Sequence, residues 1–115
     1  MGTYLVRGGK RIEGEFAVRG SKNAALPILA ACVLAADEVV LENLPQIRDV
    51  SQTLEILREL GCSVTLTGRT AVIDSRDMQA AALCGEAVRK MRSSILFLGA
   101  MLGRSGAGRI AYPGG

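Results

Sequence analysis

The sequence predicts an α/β fold, and three observations carry that prediction. Apolar residues recur at every second position in some segments and at every third or fourth in others. The two kinds of segment alternate along the chain, and glycine or proline marks most of the boundaries between them. With 115 residues, 49% of them hydrophobic and 22% charged, the chain has the apolar material for a packed core at the size of one ordinary domain.

Residues 3–8 and 11–19 read as two strands separated by Gly8-Gly9, the second with Ile12, Phe16 and Val18 on one face. Ala24 to Ala36 is apolar nearly all round, the pattern of a helix covered on every side. Pro27 sets its start, because proline removes an N–H and clashes with the carbonyl four residues back. Regular helix is therefore expected from about Ala24–Pro27, with Lys22 and Asn23 at its mouth. Val39 to Leu44 follows as a short strand closed by Pro45. Ile47, Val50, Leu54 and Leu57 then fall at helical spacing, with Asp49 and Gln52 placed as a capping box and Gly61 as the stop. Cys62–Thr67 and Thr70–Asp74 form a hairpin around Gly68-Arg69. After an alanine-rich loop, Val88, Met91, Ile95, Leu98 and Leu102 line one face of a third helix, which Gly103, Gly106 and Gly108 end. Arg109 to Tyr112 is a last strand. Gly14-Glu15-Phe16-Ala17 before Gly20-Ser21 is echoed by Gly108-Arg109-Ile110-Ala111 before Gly114-Gly115, a hint that a repeated unit starts again at the C-terminus.

Composition excludes several functions. The net charge is +3, but Lys and Arg are interleaved with Asp and Glu, and aromatic residues are 3% of the chain, which argues against a nucleic-acid partner. Histidine is absent, removing the commonest general base and metal ligand at once, so acid–base chemistry would fall to Lys, Cys, Asp, Glu or Tyr. Cys32, Cys62 and Cys84 are odd in number and widely spaced, unlike a zinc site or a disulfide framework, and read as buried core thiols in a reducing compartment. The N-terminus carries neither a signal-peptide pattern nor a myristoylation pattern, and the longest apolar run is too short to span a bilayer. A cytoplasmic protein without a membrane partner is the expectation.

The chemistry concentrates in Arg19-Gly20-Ser21-Lys22-Asn23-Ala24-Ala25-Leu26-Pro27. Here a strand breaks on glycine and delivers a lysine and an amide to the N-terminus of an apolar helix. Free backbone N–H groups, the positive end of the helix dipole and an ammonium together suit a phosphate or carboxylate. The glycine spacing and the missing Gly-Lys-Ser/Thr ending rule out a Walker loop. A second cation, Arg92, lies in Lys90-Met91-Arg92-Ser93-Ser94-Ile95 beside the apolar stripe, where a guanidinium fork can address an anion or merely snorkel from a helix flank.

Gly20–Pro27, the Lys90–Ile95 block and the terminal Pro113-Gly114-Gly115 occur in an order and spacing that resembles the bacterial enolpyruvyl transferases acting on UDP-N-acetylglucosamine. The shikimate-pathway enolpyruvyl transferase is similar in fold but has Lys-Ser in place of Lys22-Asn23 and lacks the Pro-Gly-Gly-Cys loop. The resemblance implies that Lys22 and Asn23 bind phosphoenolpyruvate and that Arg92 contacts both phosphoenolpyruvate and UDP-N-acetylglucosamine. It implies neither a metal nor an organic cofactor, and no catalytic residue within the chain, since the family's reactive cysteine would lie just beyond Gly115. The implied architecture is an inside-out α/β barrel, of which this chain supplies one complete repeat and the start of a second. Residues 1–21 would belong to the other domain, and residues 22–115 to the N-terminal part of the catalytic domain, truncated. The remainder of its own chain is then a required partner, and the 115 residues alone are expected to be inactive. A stand-alone α/β module that captures a phosphate or nucleotide sugar without turnover is the alternative.

Overall fold

The computed structural model describes residues 2–79, 82–83 and 85–112. Cys84 and Pro113-Gly114-Gly115 lie outside the described residues. Among the described residues, four α-helices and five strands form the fold: α1 (Lys22–Ala35), β1 (Glu38–Leu41), α2 (Arg48–Glu59), β2 (Ser63–Thr67), β3 (Thr70–Asp74), β4 (Ala82–Leu83), α3 (Glu86–Lys90), α4 (Leu96–Ser105) and β5 (Arg109–Ile110). A 3₁₀ turn over Arg92–Ile95 joins α3 to α4.

The expected hairpin is present. β2 and β3 pair antiparallel with Thr67 opposite Thr70, and β1 adds to the other edge of β3 with Val39 opposite Ile73. β3 is thus the central strand, and its alternation puts Ala71 and Ile73 on a fully buried face. Against that face stand α1 and α2, with α4 packed on α1. Leu29, Val33, Leu54, Ile56, Leu57, Phe97 and Met101 fill the core between them.

α2 ends where Gly61 was expected to stop it, and the mechanism is explicit. Gly61 takes φ +95°, its N–H donates to Arg58 O and the Cys62 N–H donates to Leu57 O, the paired bonds of a Schellman ending. The capping box at the other end is not formed. Ile47 is the N-cap with no side-chain bond, and the Asp49 carboxylate is engaged elsewhere.

Other expectations are corrected. Residues 3–8 and 11–19 make no strand ladder within the described chain and leave Ile12, Phe16 and Val18 more than 80% exposed: alternation sets which face is apolar and supplies no neighbour to pair with. β1 stops at Leu41 rather than Leu44. α1 begins at Lys22, so Lys22 and Asn23 sit in the first turn and Pro27 lies inside the helix, where it costs only the bond to the Asn23 carbonyl. α1 is also not covered on every side, since Ile28 and Leu34 are about half exposed while Leu29 and Val33 are fully buried.

The third helix is not continuous. It breaks at Met91, which is extended at φ −130° and ψ 125°. The Ser94 hydroxyl, buried, lies 3.0 Å from Val88 O and 2.7 Å from Met91 O, offering these carbonyls a partner outside the helical ladder. Gly103 is passed through, and Gly106 at φ +76° closes α4. The final strand shortens to β5, which pairs in parallel with β4, a two-residue strand inside the alanine-rich segment.

Candidate functional site

Three chain segments converge on one cleft of about 390 Å³. The first turn of α1 contributes Lys22, Asn23 and Leu26, the first turn of α2 contributes Asp49, and the α3 end with the 3₁₀ turn contributes Lys90, Met91, Arg92 and Ser93. The three residues that the sequence singled out for an anion, Lys22, Asn23 and Arg92, therefore line the same cleft although Arg92 is far from the others in sequence.

Lys22 reaches across to α2, its Nζ lying 2.5 Å from Asp49 Oδ2, with the lysine side chain 53% and the aspartate 32% exposed. Lys90 Nζ is 3.8 Å from Glu86 Oε2 on its own helix, both exposed, a loose contact worth little. Arg92 has no ion pair among the described residues. Other arginines are committed within the fold: Arg58 bonds Glu55, Arg76 chelates Asp74, and Arg104 donates to Val33 O at 2.8 Å. Those Arg76 bonds hold the Asp74 carboxyl below the usual carboxylate range. Arg92 stands instead on a turn whose backbone is fixed from behind by buried Ser94 and by Met91, whose sulfur lies 3.8 Å from the Thr53 hydroxyl. The arrangement offers three cations, one amide and free α1 backbone N–H groups to a single anionic guest.

A second depression, beside Gly20, borders α1 without the cleft's chemistry. It is lined largely by apolar side chains, with Glu42 as its charged residue. A Cβ on Gly20 would stand 2.1 Å from Asn43 O, so the chain crosses here at a distance only glycine allows. Cys32 and Cys62 are buried and free, as expected of core thiols. Burial, with Cys62 nearby adding to it, pushes the Cys32 thiol up to about 11, and burial also raises Cys62. Neither thiol is suited to nucleophilic work at neutral pH. Among the described residues no cluster of His, Cys, Asp and Glu is arranged to hold a metal ion.

The model of the EPSP synthase (3-phosphoshikimate 1-carboxyvinyltransferase) family matches residues 6–115. The chain belongs to the EPSP synthase family. Among curated relatives, it is 43% identical over 115 residues to UDP-N-acetylglucosamine 1-carboxyvinyltransferase 2 of Caldanaerobacter subterraneus, covering 100% of this chain and 28% of that protein. UDP-N-acetylglucosamine 1-carboxyvinyltransferase 1 of Symbiobacterium thermophilum is 46% identical over 117 residues, covering 97% of this chain and 26% of that protein. The enolpyruvyl transferase NikO from Streptomyces tendae superposes with a TM-score of 0.72 at 29% identity, over 86% of this chain and 23% of that one. The α/β fold is thus part of an enolpyruvyl-transferase fold, and the chain spans about a quarter of the length of the curated relatives it matches.

Asp49 and Lys90 were not singled out as site residues by sequence reading. Asp49 was read as a cap, and its distance in sequence from Lys22 gives no sign that the two meet. Lys90 lies two residues before Arg92, and only the break at Met91 brings both to the cleft.

Proposed function

We propose that this chain carries the first anion-binding wall of an enzyme that transfers the enolpyruvyl group of phosphoenolpyruvate to the 3′-hydroxyl of UDP-N-acetylglucosamine, the first committed step of peptidoglycan synthesis. The observation that carries this reading is the convergence of Lys22, Asn23 and Arg92 on one cleft. The names of the relatives, UDP-N-acetylglucosamine 1-carboxyvinyltransferases, supply the substrate and the transferred group.

Lys22 and Arg92 hold the phosphate and carboxylate of phosphoenolpyruvate, Asn23 contacts the reacting groups, and Arg92 also reaches the nucleotide sugar. In the reaction C3 takes a proton, the sugar hydroxyl adds to C2 and loses its own proton, and the tetrahedral intermediate gives up phosphate and a C3 proton. Negative charge shifts in both steps, so fixed cations in a water-poor cleft lower the barrier. None of the 115 residues is assigned the acid that protonates C3. Residues 1–21 pair with another domain, which would cover the exposed face of Ile12, Phe16 and Val18. The setting is cytoplasmic, in keeping with the finding that no helix among the described residues is long and apolar enough to cross a membrane.

The test is steady-state kinetics of the complete protein with Lys22→Ala and Arg92→Ala. Loss of a charge-assisted bond to a desolvated anion costs about 2–4 kcal/mol, roughly 30- to 1,000-fold in kcat/KM. Both side chains are substantially exposed, so melting temperatures should stay near that of the parent. Unchanged kinetics in either variant would remove that residue from the site. Binding of both substrates by the complete parent protein without release of phosphate would favour a capture module instead.

A further inference from the structure

Glu59 ends α2 against the preference of that helix. It stands at the negative end of the dipole, where a carboxylate is disfavoured and a cation such as the neighbouring Arg58 is favoured. Its charge is used on another element, since Oε1 accepts the backbone N–H of Gly85 at 3.0 Å. Gly85 is the N-cap of α3, at φ −76° and ψ 173°, and has no side chain with which to cap that helix. A Cβ at this position would fall 2.6 Å from Glu59 Oε2 and 2.8 Å from Oε1, so the carboxylate fills the space that glycine leaves.

The other end of α3 is tied to the same helix. Met91, where the backbone turns extended, is buried with its sulfur 3.8 Å from the hydroxyl of Thr53 on α2, and Val88 between the two ties is fully buried. Thr53 and Glu59 stand six residues apart on α2, and Met91 and Gly85 six residues apart across α3, each span being about 9 Å of helix. The matched spans lay α3 back along α2 with one anchor at each end. Sliding α3 along α2 would break an anchor, and the residue that follows the second anchor is Arg92, in the cleft.

We propose that Glu59 is a positioning residue: by holding the start of α3 it sets the register of that helix along α2, and with it the reach of Arg92 into the cleft. This rests on reading the cleft as a phosphoenolpyruvate site. Glu59 does not line the cleft and acts only through α3.

The experiment uses the complete protein with Glu59→Ala, Glu59→Gln and Gly85→Ala, read by calorimetric binding of phosphoenolpyruvate, by kcat/KM and by melting. Glu59→Ala is expected to weaken binding and lower kcat/KM by about fivefold or more at temperatures where the protein is fully folded, and to have less than about a twofold further effect once Arg92 is already alanine. Glu59→Gln keeps an acceptor oxygen at the same reach and should retain most of both. Gly85→Ala, whose backbone angles alanine adopts freely, displaces the carboxylate and should reproduce the loss, and combining it with Glu59→Ala should add almost nothing because the same bond is removed. If Glu59→Ala melts well below the parent, Gly85→Ala replaces it in the comparison with Arg92→Ala. Parent-like binding and kinetics in Glu59→Ala would overturn the proposal whatever its melting temperature, and so would an equal loss with and without Arg92. If the parent protein itself binds no phosphoenolpyruvate, the reading of the cleft falls and this proposal falls with it. If the parent binds and Glu59→Ala binds equally, only the role of Glu59 is lost.

Discussion

The N-terminal segment predicts how the 115-residue chain behaves when expressed alone. Tyr4, Leu5, Val6, Ile12, Phe16 and Val18 are between 81% and 95% exposed, although covering each would remove a large apolar side chain from water. At about 1.5–3 kcal/mol per side chain fully covered, the face of Ile12, Phe16 and Val18 is worth roughly 5–9 kcal/mol, and the whole set about twice that. Bringing two chains together costs on the order of 4–15 kcal/mol before any contact is counted. That face alone therefore roughly breaks even, whereas the whole set, aided by unpaired backbone, drives association in the micromolar to millimolar range. The chain should scatter light as oligomers at about 100 µM and bind a hydrophobic dye strongly. The triple variant Ile12→Ser, Phe16→Ser, Val18→Ser removes about half of the driving force and should return the protein to monomer at that concentration. A dye-negative monomer from the unsubstituted chain would refute the reasoning, as would association that the triple variant leaves unchanged.

Ser94→Ala removes the hydroxyl that bridges the end of α3 to the 3₁₀ turn while both carbonyls keep long backbone partners. A stability loss of about 1 kcal/mol is expected in the complete protein, with a larger proportional fall in kcat/KM as Arg92 loses its fixed mounting, checked by melting and steady-state kinetics. The Cys32 thiol, raised by burial from 9.0 to about 11, should resist alkylation in the native state at pH 8 and react on unfolding. Because the folded state keeps this proton longer than the unfolded one, the stability it contributes is fully present below pH 9 and is lost as pH rises towards 11, which a pH series of denaturant midpoints checks.

Period-two and period-3.6 patterning located β3 and α2 because those elements bury one face against the rest of this same chain. The hairpin registers on Thr67 and Thr70, and the Gly61 ending needed only local bonds, so both were visible in the residues. Where an element depends on something distant, the pattern failed in a systematic way. Residues 3–8 and 11–19 have the alternation of strands, but alternation specifies which faces are apolar and supplies no neighbour to pair with. The break at Met91 is hidden for the opposite reason. The apolar stripe through Val88, Met91 and Ile95 continues in sequence, and nothing in it marks that the buried Ser94 hydroxyl will lie within hydrogen-bond distance of Val88 O and Met91 O at the break.

The same distinction explains the site. Lys22, Asn23 and Arg92 were legible as anion-binding candidates because each is a cation or amide set beside an apolar segment with no packing need for it. Asp49 was misread because a carboxylate in a first helical turn already has a local explanation, the dipole and a capping box, and that explanation hides a long-range one. The structure separates the two. The capping bond is absent, the N-cap is Ile47, and the carboxylate points to Lys22 on another helix. A first-turn acid followed by an unformed capping box, opposite a first-turn lysine, is then more than a local preference. Two helix N-termini meet at this cleft, and their dipoles repel a cation and welcome an anion. The Lys22–Asp49 pair places one of each between them.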